Sequence, residues 1–442
     1  MIRRFVFLCL ALLLVAGCES IFGKESGVRG ALPGKRESIF SAERALKPDA
    51  DAKVAAVDIP IPSERADWPL VGGSLTRAHG NIVLSQSPAP VWSTSIGEGS
   101  GGKSVLVAQP VVGGGKIFAT DGTANVVALS TSDGKVMWQR SVPNPRPEDA
   151  DISGSGLAYV PGKLVVTTSY GNVVALDPAN GRILWQKMMP APIRGAPVVD
   201  EGRVYVTSTA NVVYDLALAD GALGWTHAGV EETASLLGMA APMPYGELVI
   251  VPYSSGQIAA LRKLNGGMVW EENLASTTPT EGTLPAMSDI QGEPVIQDGK
   301  LYAASHSGRL VVLDARSGQR VWETDAGSTE MPWLAGKTLF IVTTENQLAA
   351  LSTEDGRVRW SVDLPRYADP ENRIDPIIWT GPVMAGGRLW VANSLGELHS
   401  YDPHNGKETS NSALNGPVYI APLVANRTLY ILSDDGTLTA FR

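Results

Sequence analysis

The side chains best suited to chemistry are few and scattered. Five histidines, His79, His227, His306, His399 and His404, fall at spacings that fit no metal-ligand motif. His399 and His404 merely flank a turn pattern. Asp289 and Asp375 are available as carboxylates. No serine, histidine and acid, and no pair of acids, stands at a spacing that argues for nucleophilic or acid–base catalysis. Gly113-Gly114-Gly115 precedes a strand pattern and opens no helix, so it reads as a turn and not as a phosphate cradle. The expectation is a chain with no catalytic residues, no metal site and no bound cofactor.

Cysteine occurs twice, at Cys9 and Cys18, which excludes a disulfide framework or a thiolate metal cluster in the body. Arg3 and Arg4 lead into an apolar run of eleven residues, 5–15. A membrane-spanning helix needs about 20. The run ends in Val15-Ala16-Gly17-Cys18, small residues set against a cysteine. That pattern resembles the lipobox cleaved by the bacterial lipoprotein signal peptidase. It implies a signal peptide over 1–17, with Cys18 as the acylated, palmitate-bearing N-terminus and Cys9 lost with the leader. Glu19 follows where an aspartate would favour the inner membrane, which resembles an outer-membrane address facing the periplasm. Residues 18–67 mix Lys, Arg, Glu, Asp, Pro and Ala without sustained periodicity and read as a flexible, lipid-anchored linker. No later apolar stretch is long enough to span a bilayer.

The elements that would carry any site are strands. Of 442 residues, 44% are apolar and 18% charged, with 47 glycines, 30 prolines and 7% aromatics, a balance that favours short strands and turns. The formal charge of −9 excludes sequence-independent nucleic-acid binding, which needs a basic face. Eight segments begin with glycine or asparagine and end in an apolar or aromatic residue: 122–129, 171–176, 211–216, 256–261, 308–313, 346–351, 396–401 and 436–441. Seven run into a turn pair, Asp133-Gly134, Asn180-Gly181, Asp220-Gly221, Asn265-Gly266, Ser317-Gly318, Asp355-Gly356 and Asn405-Gly406. Such pairs supply the positive φ angles of tight hairpins. Four residues after the glycine comes Trp138, Trp185, Trp225, Trp270, Trp322 or Trp360, with Ser410 in the seventh. Short strands such as Pro110-Val111-Val112 and Pro294-Val295-Ile296 precede several copies.

Each unit reads as four antiparallel strands, about the length of a propeller blade. The eighth copy has no tryptophan strand after it, while residues 91–96, with Trp92, form such a strand with none before it. Pairing the two completes a last blade and protects both edges. The fold expected is all-β, an eight-bladed β-propeller of four-stranded antiparallel blades over 68–442, with blades from about residue 90. Trp92, Trp138, Trp185, Trp225, Trp270, Trp322 and Trp360 are expected to dock neighbouring blades, each costing about 3–5 kcal/mol on truncation to alanine where buried. Trp333, Trp379 and Trp390 fall out of register and suit a face or channel.

Repeats of the form Gly-x-apolar-x-Ala-Leu-Asp with a following Gly-x-x-x-Trp resemble the quinoprotein-type (PQQ-like) propeller repeat over roughly 90–442. With the lipobox, the chain resembles the BamB-type outer-membrane assembly lipoproteins. That resemblance implies a non-catalytic scaffold of the β-barrel assembly (BAM) complex, on the periplasmic face of the outer membrane. Its implied partners are the POTRA repeats of the barrel assembly protein, other BAM components and unfolded outer-membrane proteins. In that family two neighbouring loops dock the POTRA repeats through Leu-x-Leu-Arg-Gly and Ser-Asp-Val-Asp. Here the first reads Ala234-Ser235-Leu236-Leu237-Gly238 and the second Ser288-Asp289-Ile290-Gln291, so Leu236 and Asp289 match while Ala234, Leu237 and Gln291 depart, losing an arginine and an acid. Leu236, Leu237, Asp289 and Gln291 are the partner-binding residues this implies. The same propeller serves quinoprotein dehydrogenases, so the alternative is a periplasmic quinone-binding enzyme or sensor. Those enzymes use a vicinal disulfide, which this chain cannot form. A polymer-binding module is a further possibility for which no motif is visible.

Overall fold

A computed structural model describes residues 45–49, 57–102, 104–142, 152–153, 156–193, 195–231, 238–275 and 289–442. The expected signal peptide and Cys18 lie outside these. Eight four-stranded antiparallel sheets form the ring. Blade 1 consists of Val111–Gly113, Lys116–Thr120, Asn125–Ser130 and Val136–Ser141. Blades 2 to 7 repeat the order over 157–188, 198–228, 243–273, 295–324, 333–363 and 379–413. Blade 8 takes three strands from 423–441 and its outermost from the start of the ring, Pro90–Ser95. Antiparallel pairing sets Trp92 against Ala440, Thr94 against Leu438 and Ser95 against Thr437. Beyond the strand, Ala89 and Arg442 exchange backbone hydrogen bonds of 2.8 and 2.9 Å. The closure expected from the unmatched ends is therefore the one observed.

The middle strands of a blade are covered on both faces, so they read as unbroken apolar runs such as Asn172–Leu176, buried throughout. Outermost strands face water and are mostly exposed, as in Leu223–Ala228. The core is a set of apolar layers between blades, for example blade 1 against blade 2 through Phe118, Val126, Leu164 and Val174.

Each of the seven turn glycines sits at φ between 69° and 73°. The residue before it does not share the positive φ. The hairpins are therefore not two-residue turns of the Asn-Gly type. The glycine amide reaches back four residues, as from Gly181 to Asp177 at 2.8 Å, and the ladder bulges beside it. The preceding Asp, Asn or Ser is selected because its side chain accepts the amide of the residue after the glycine, as Asn180 does from Arg182 and Asn405 from Lys407. In blade 1 the repeated segment 122–129 opens on Gly122, but its strand begins only at Asn125. Ala124, not Gly122, takes the left-handed position, at φ 63°, in a loop tied together by the Asp121 carboxylate.

Seven of the eight blades carry this indole, and each lies against the turn glycine of the next blade. A Cβ on Gly134, Gly181, Gly221, Gly266, Gly318, Gly356 or Gly406 would come within 2.5–2.8 Å of Trp92, Trp138, Trp185, Trp225, Trp270, Trp322 or Trp360 respectively. Five of these indoles also donate to a carbonyl three residues before that glycine. At Trp92 the corresponding carbonyl, Thr131, instead accepts from the Arg442 guanidinium at 2.7 Å.

Residues 57–67, expected in the flexible linker, lie on the ring. The stretch 57–84 forms a strap of irregular chain across the hairpin-turn face and into the channel. Arg65, Trp68, Pro69, Thr76, Gly80 and Ile82 exchange backbone hydrogen bonds with blades 8, 1, 2, 5, 6 and 7. No periodicity marks this segment because isolated residues anchor it, Val57, Trp68, Leu70 and Ile82 among them.

Candidate functional site

The loop face, opposite the hairpin turns, carries the described ends of the segments expected to dock a partner. Leu236 and Leu237 lie outside the described residues. The stems of the two loops are described, and they meet. Gly238 (φ 86°) sits where a Cβ would lie 3.3 Å from Gln291 Nε2. The Ala241 amide donates to both Glu293 carboxylate oxygens, at 3.0 and 3.1 Å. Ile290 is buried in the layer between blades 4 and 5 and pins the second stem. Asp289 is 5% exposed and engaged within the chain, and its carbonyl accepts the His306 amide. Gln291 lines the mouth of the central channel beside Gly238 and Met239. The described stems thus lie side by side, and of the described residues expected to dock a partner only Gln291 lines the channel, while Asp289 is buried and engaged within the chain.

The channel holds a cavity of about 1000 Å³. Its floor is the strap: Trp68 stacks on Trp333 at 6.5 Å, with the His79 ring against both. Burial pushes His79 down to about 4, so the ring is neutral and its Nε2 donates to the Gly72 carbonyl. Arg77 reaches into the channel and pairs with Glu293 at 2.8 Å, donating also to the carbonyls of Pro294, Ala241 and Pro242. Burial pushes Glu293 up to about 7 against the pull of Arg77 and of the Ala241 amide. On the far wall Glu330 accepts from the Gly381 amide and the Thr380 hydroxyl, both at 2.9 Å, and burial pushes it up to about 7 as well. Trp333 and Trp379 line this channel, whereas Trp390 is buried and donates to the Ala385 carbonyl. Sequence reasoning missed the Arg77–Glu293 pair and Glu330. Single charged residues next to strand starts carry no periodic signal.

The remaining candidates are spread over the ring. His227 contacts the Tyr253 hydroxyl, His399 is held between Glu397 and Glu408, and His404 meets the Val57 carbonyl. Asp375 lies on an exposed hairpin, Tyr367–Asp369 with Ile374–Pro376. No group of three metal-ligating side chains occurs among the described residues. The channel does not fit the tricarboxylate quinone that related propellers suggest. Arg77 is already paired, and the cavity presents Glu293, Glu330, Glu345 and Asp434 with Arg366 itself 3.4 Å from Glu345. Among the described residues no helix is long and apolar enough to cross a membrane.

The family described as the outer membrane protein assembly factor BamB matches residues 78–149, 146–362 and 367–442. The chain is 29% identical over 362 residues to the outer membrane protein assembly factor BamB of Yersinia pestis, covering 80% of this chain and 89% of that one. Among solved structures it resembles BamB from Moraxella catarrhalis, with a TM-score of 0.68 at 22% identity over 80% of this chain and all of the other. The quinohemoprotein alcohol dehydrogenase of Comamonas testosteroni shares the fold at a TM-score of 0.64 and 14% identity, covering 85% of this chain and 80% of that one.

Proposed function

This chain belongs to the BamB family of outer membrane protein assembly factors, and from that premise we propose that it serves the BAM complex as a scaffold that does no chemistry. Its body binds the POTRA repeats of the barrel assembly protein through the loop face, and a lipid on Cys18 holds it to the periplasmic side of the outer membrane. The observation that carries the reading is the junction of the two loop stems, Gly238 against Gln291, with Glu293 bonded to the first stem and ion-paired to Arg77. The stems of two successive inter-blade connections thereby meet at one place on the ring, which is where loops commonly carry binding residues. In this reading Asp289 positions the second stem, and Leu236, Leu237 and Gln291 meet the partner. The test is affinity capture with tagged full-length chain from detergent-solubilised outer membranes. The barrel assembly protein is expected in the eluate and is expected to fall at least tenfold with Leu236→Asp. Capture of nothing but the tagged chain contradicts it.

The quinone reading keeps one supporting observation, the shared fold with the dehydrogenase. Adding the quinone with calcium is expected to give no new visible absorbance and no dye reduction. A stoichiometric absorbance change reverses that expectation.

A further inference from the structure

We propose that the cleft between blades 5 and 6 is a peptide-recognition site, which the chain fills in cis with its own residues 45–49. Its occupant in trans is an extended polypeptide segment with a leucine-sized side chain and an acid three residues later. Leu46 is 7% exposed and packs into the apolar layer of these blades with Tyr302, Leu310, Leu339 and Leu351. Its backbone is read by side chains. Gln347, 4% exposed, accepts the Leu46 amide through Oε1 at 2.7 Å, and its Nε2 faces the Leu46 carbonyl at 3.4 Å. The Ser361 hydroxyl donates to the same carbonyl at 2.9 Å.

The cleft is built for this task. The Gln347 amide is oriented by the Asp363 carboxylate at 2.9 Å, and its backbone amide by the Thr343 hydroxyl at 3.1 Å. At the matching strand position, Gln257 of blade 4 and Glu397 of blade 7 bond Ser255 and Asn393 of their own blades. Three residues on, the Asp49 amide donates to the Val358 carbonyl at 3.1 Å, and Arg357 lies 3.7 Å from the Asp49 carboxylate. A backbone clasp, an apolar socket and a cation at fixed spacing recognise an extended Leu-x-x-Asp pattern, with main-chain bonds giving affinity and the socket giving specificity. The grip on the cis segment is one buried side chain and four hydrogen bonds to its backbone. Tethering to the strap raises its local concentration and keeps it seated.

The test uses the full chain and a fluorescein-labelled peptide of its own residues 43–51. By fluorescence polarisation the wild type is expected to bind weakly, because the cis segment competes. Leu46→Asp is expected to bind at least tenfold tighter, and adding Gln347→Glu to return binding to the wild-type level. A Leu46→Asp chain with an unchanged thermal transition that binds no tighter than wild type overturns the proposal. Should Leu46→Asp not fold, hydrogen exchange on the wild type decides. Excess peptide is expected to speed exchange at the Leu46 and Asp49 amides at least tenfold, and unchanged exchange at saturating peptide overturns the proposal. Wild-type dimers that Leu46→Asp dissolves would assign the cleft to a second copy and likewise overturn it.

Discussion

Two buried channel residues carry consequences that surface chemistry would not. Glu330 ordinarily titrates at 4.5 and is pushed to about 7 in the folded chain. Between those values the folded state holds a proton that the unfolded state has lost, so stability falls as pH rises through the window. Glu330→Gln keeps an oxygen acceptor for Thr380 and Gly381 and removes the titration. Its thermal midpoint is expected to match wild type near pH 5 and exceed it by roughly a few degrees at pH 8, by calorimetry. Glu293→Gln acts oppositely, because it strips Arg77 of its counter-charge inside the channel. Breaking a buried pair costs about 3–5 kcal/mol, readable in urea unfolding. The double change Arg77→Met with Glu293→Gln should recover much of that loss, since neither charge then remains. Neither residue was legible in the sequence. Arg77 lies in the irregular strap before the first strand, and nothing local marks its partner 216 positions later.

Among the elements, the turn and the tryptophan strand were legible because the same physical demand recurs at seven of the eight blade junctions. A left-handed residue must follow an Asp, Asn or Ser cap, and it must also lack a Cβ because the neighbouring indole fills that space. The two demands are separable. Gly202 has φ 76° with nothing within 4 Å of an added Cβ, whereas Gly266 has φ 69° with the Trp225 ring at 2.5 Å. Gly202→Ala is expected to cost about 1 kcal/mol for backbone strain alone. Gly266→Ala should cost at least twice that, because the ring must shift. Trp360→Ala, at a buried indole that donates to the Pro403 carbonyl, should cost about 3–5 kcal/mol. Equal losses for the two glycines by urea unfolding would contradict inter-blade docking by the turns. The type of hairpin was not legible, because Asp-Gly and Asn-Gly serve both two-residue turns and bulged ones. Ala124 shows the limit of pattern matching, since a left-handed non-glycine is held there by Asp121 and not announced by residue type.

At the scale of the molecule, sequence arithmetic at the two ends was enough to close the ring, because each unpaired edge has one complement. The strap and the Leu46 cleft escaped it. Their anchors are single side chains spaced without period, and their partners come from six or more blades. What the ring does depends on which face meets the assembly machinery. The direct measurement places a photo-crosslinking residue at Gln291 on the loop face, or at Lys337, 73% exposed in a hairpin turn on the opposite face. After illumination of living cells, an adduct with the barrel assembly protein is expected from position 291 and none from position 337. An adduct from 337 alone, or from neither position with the chain present at normal level, would contradict the account.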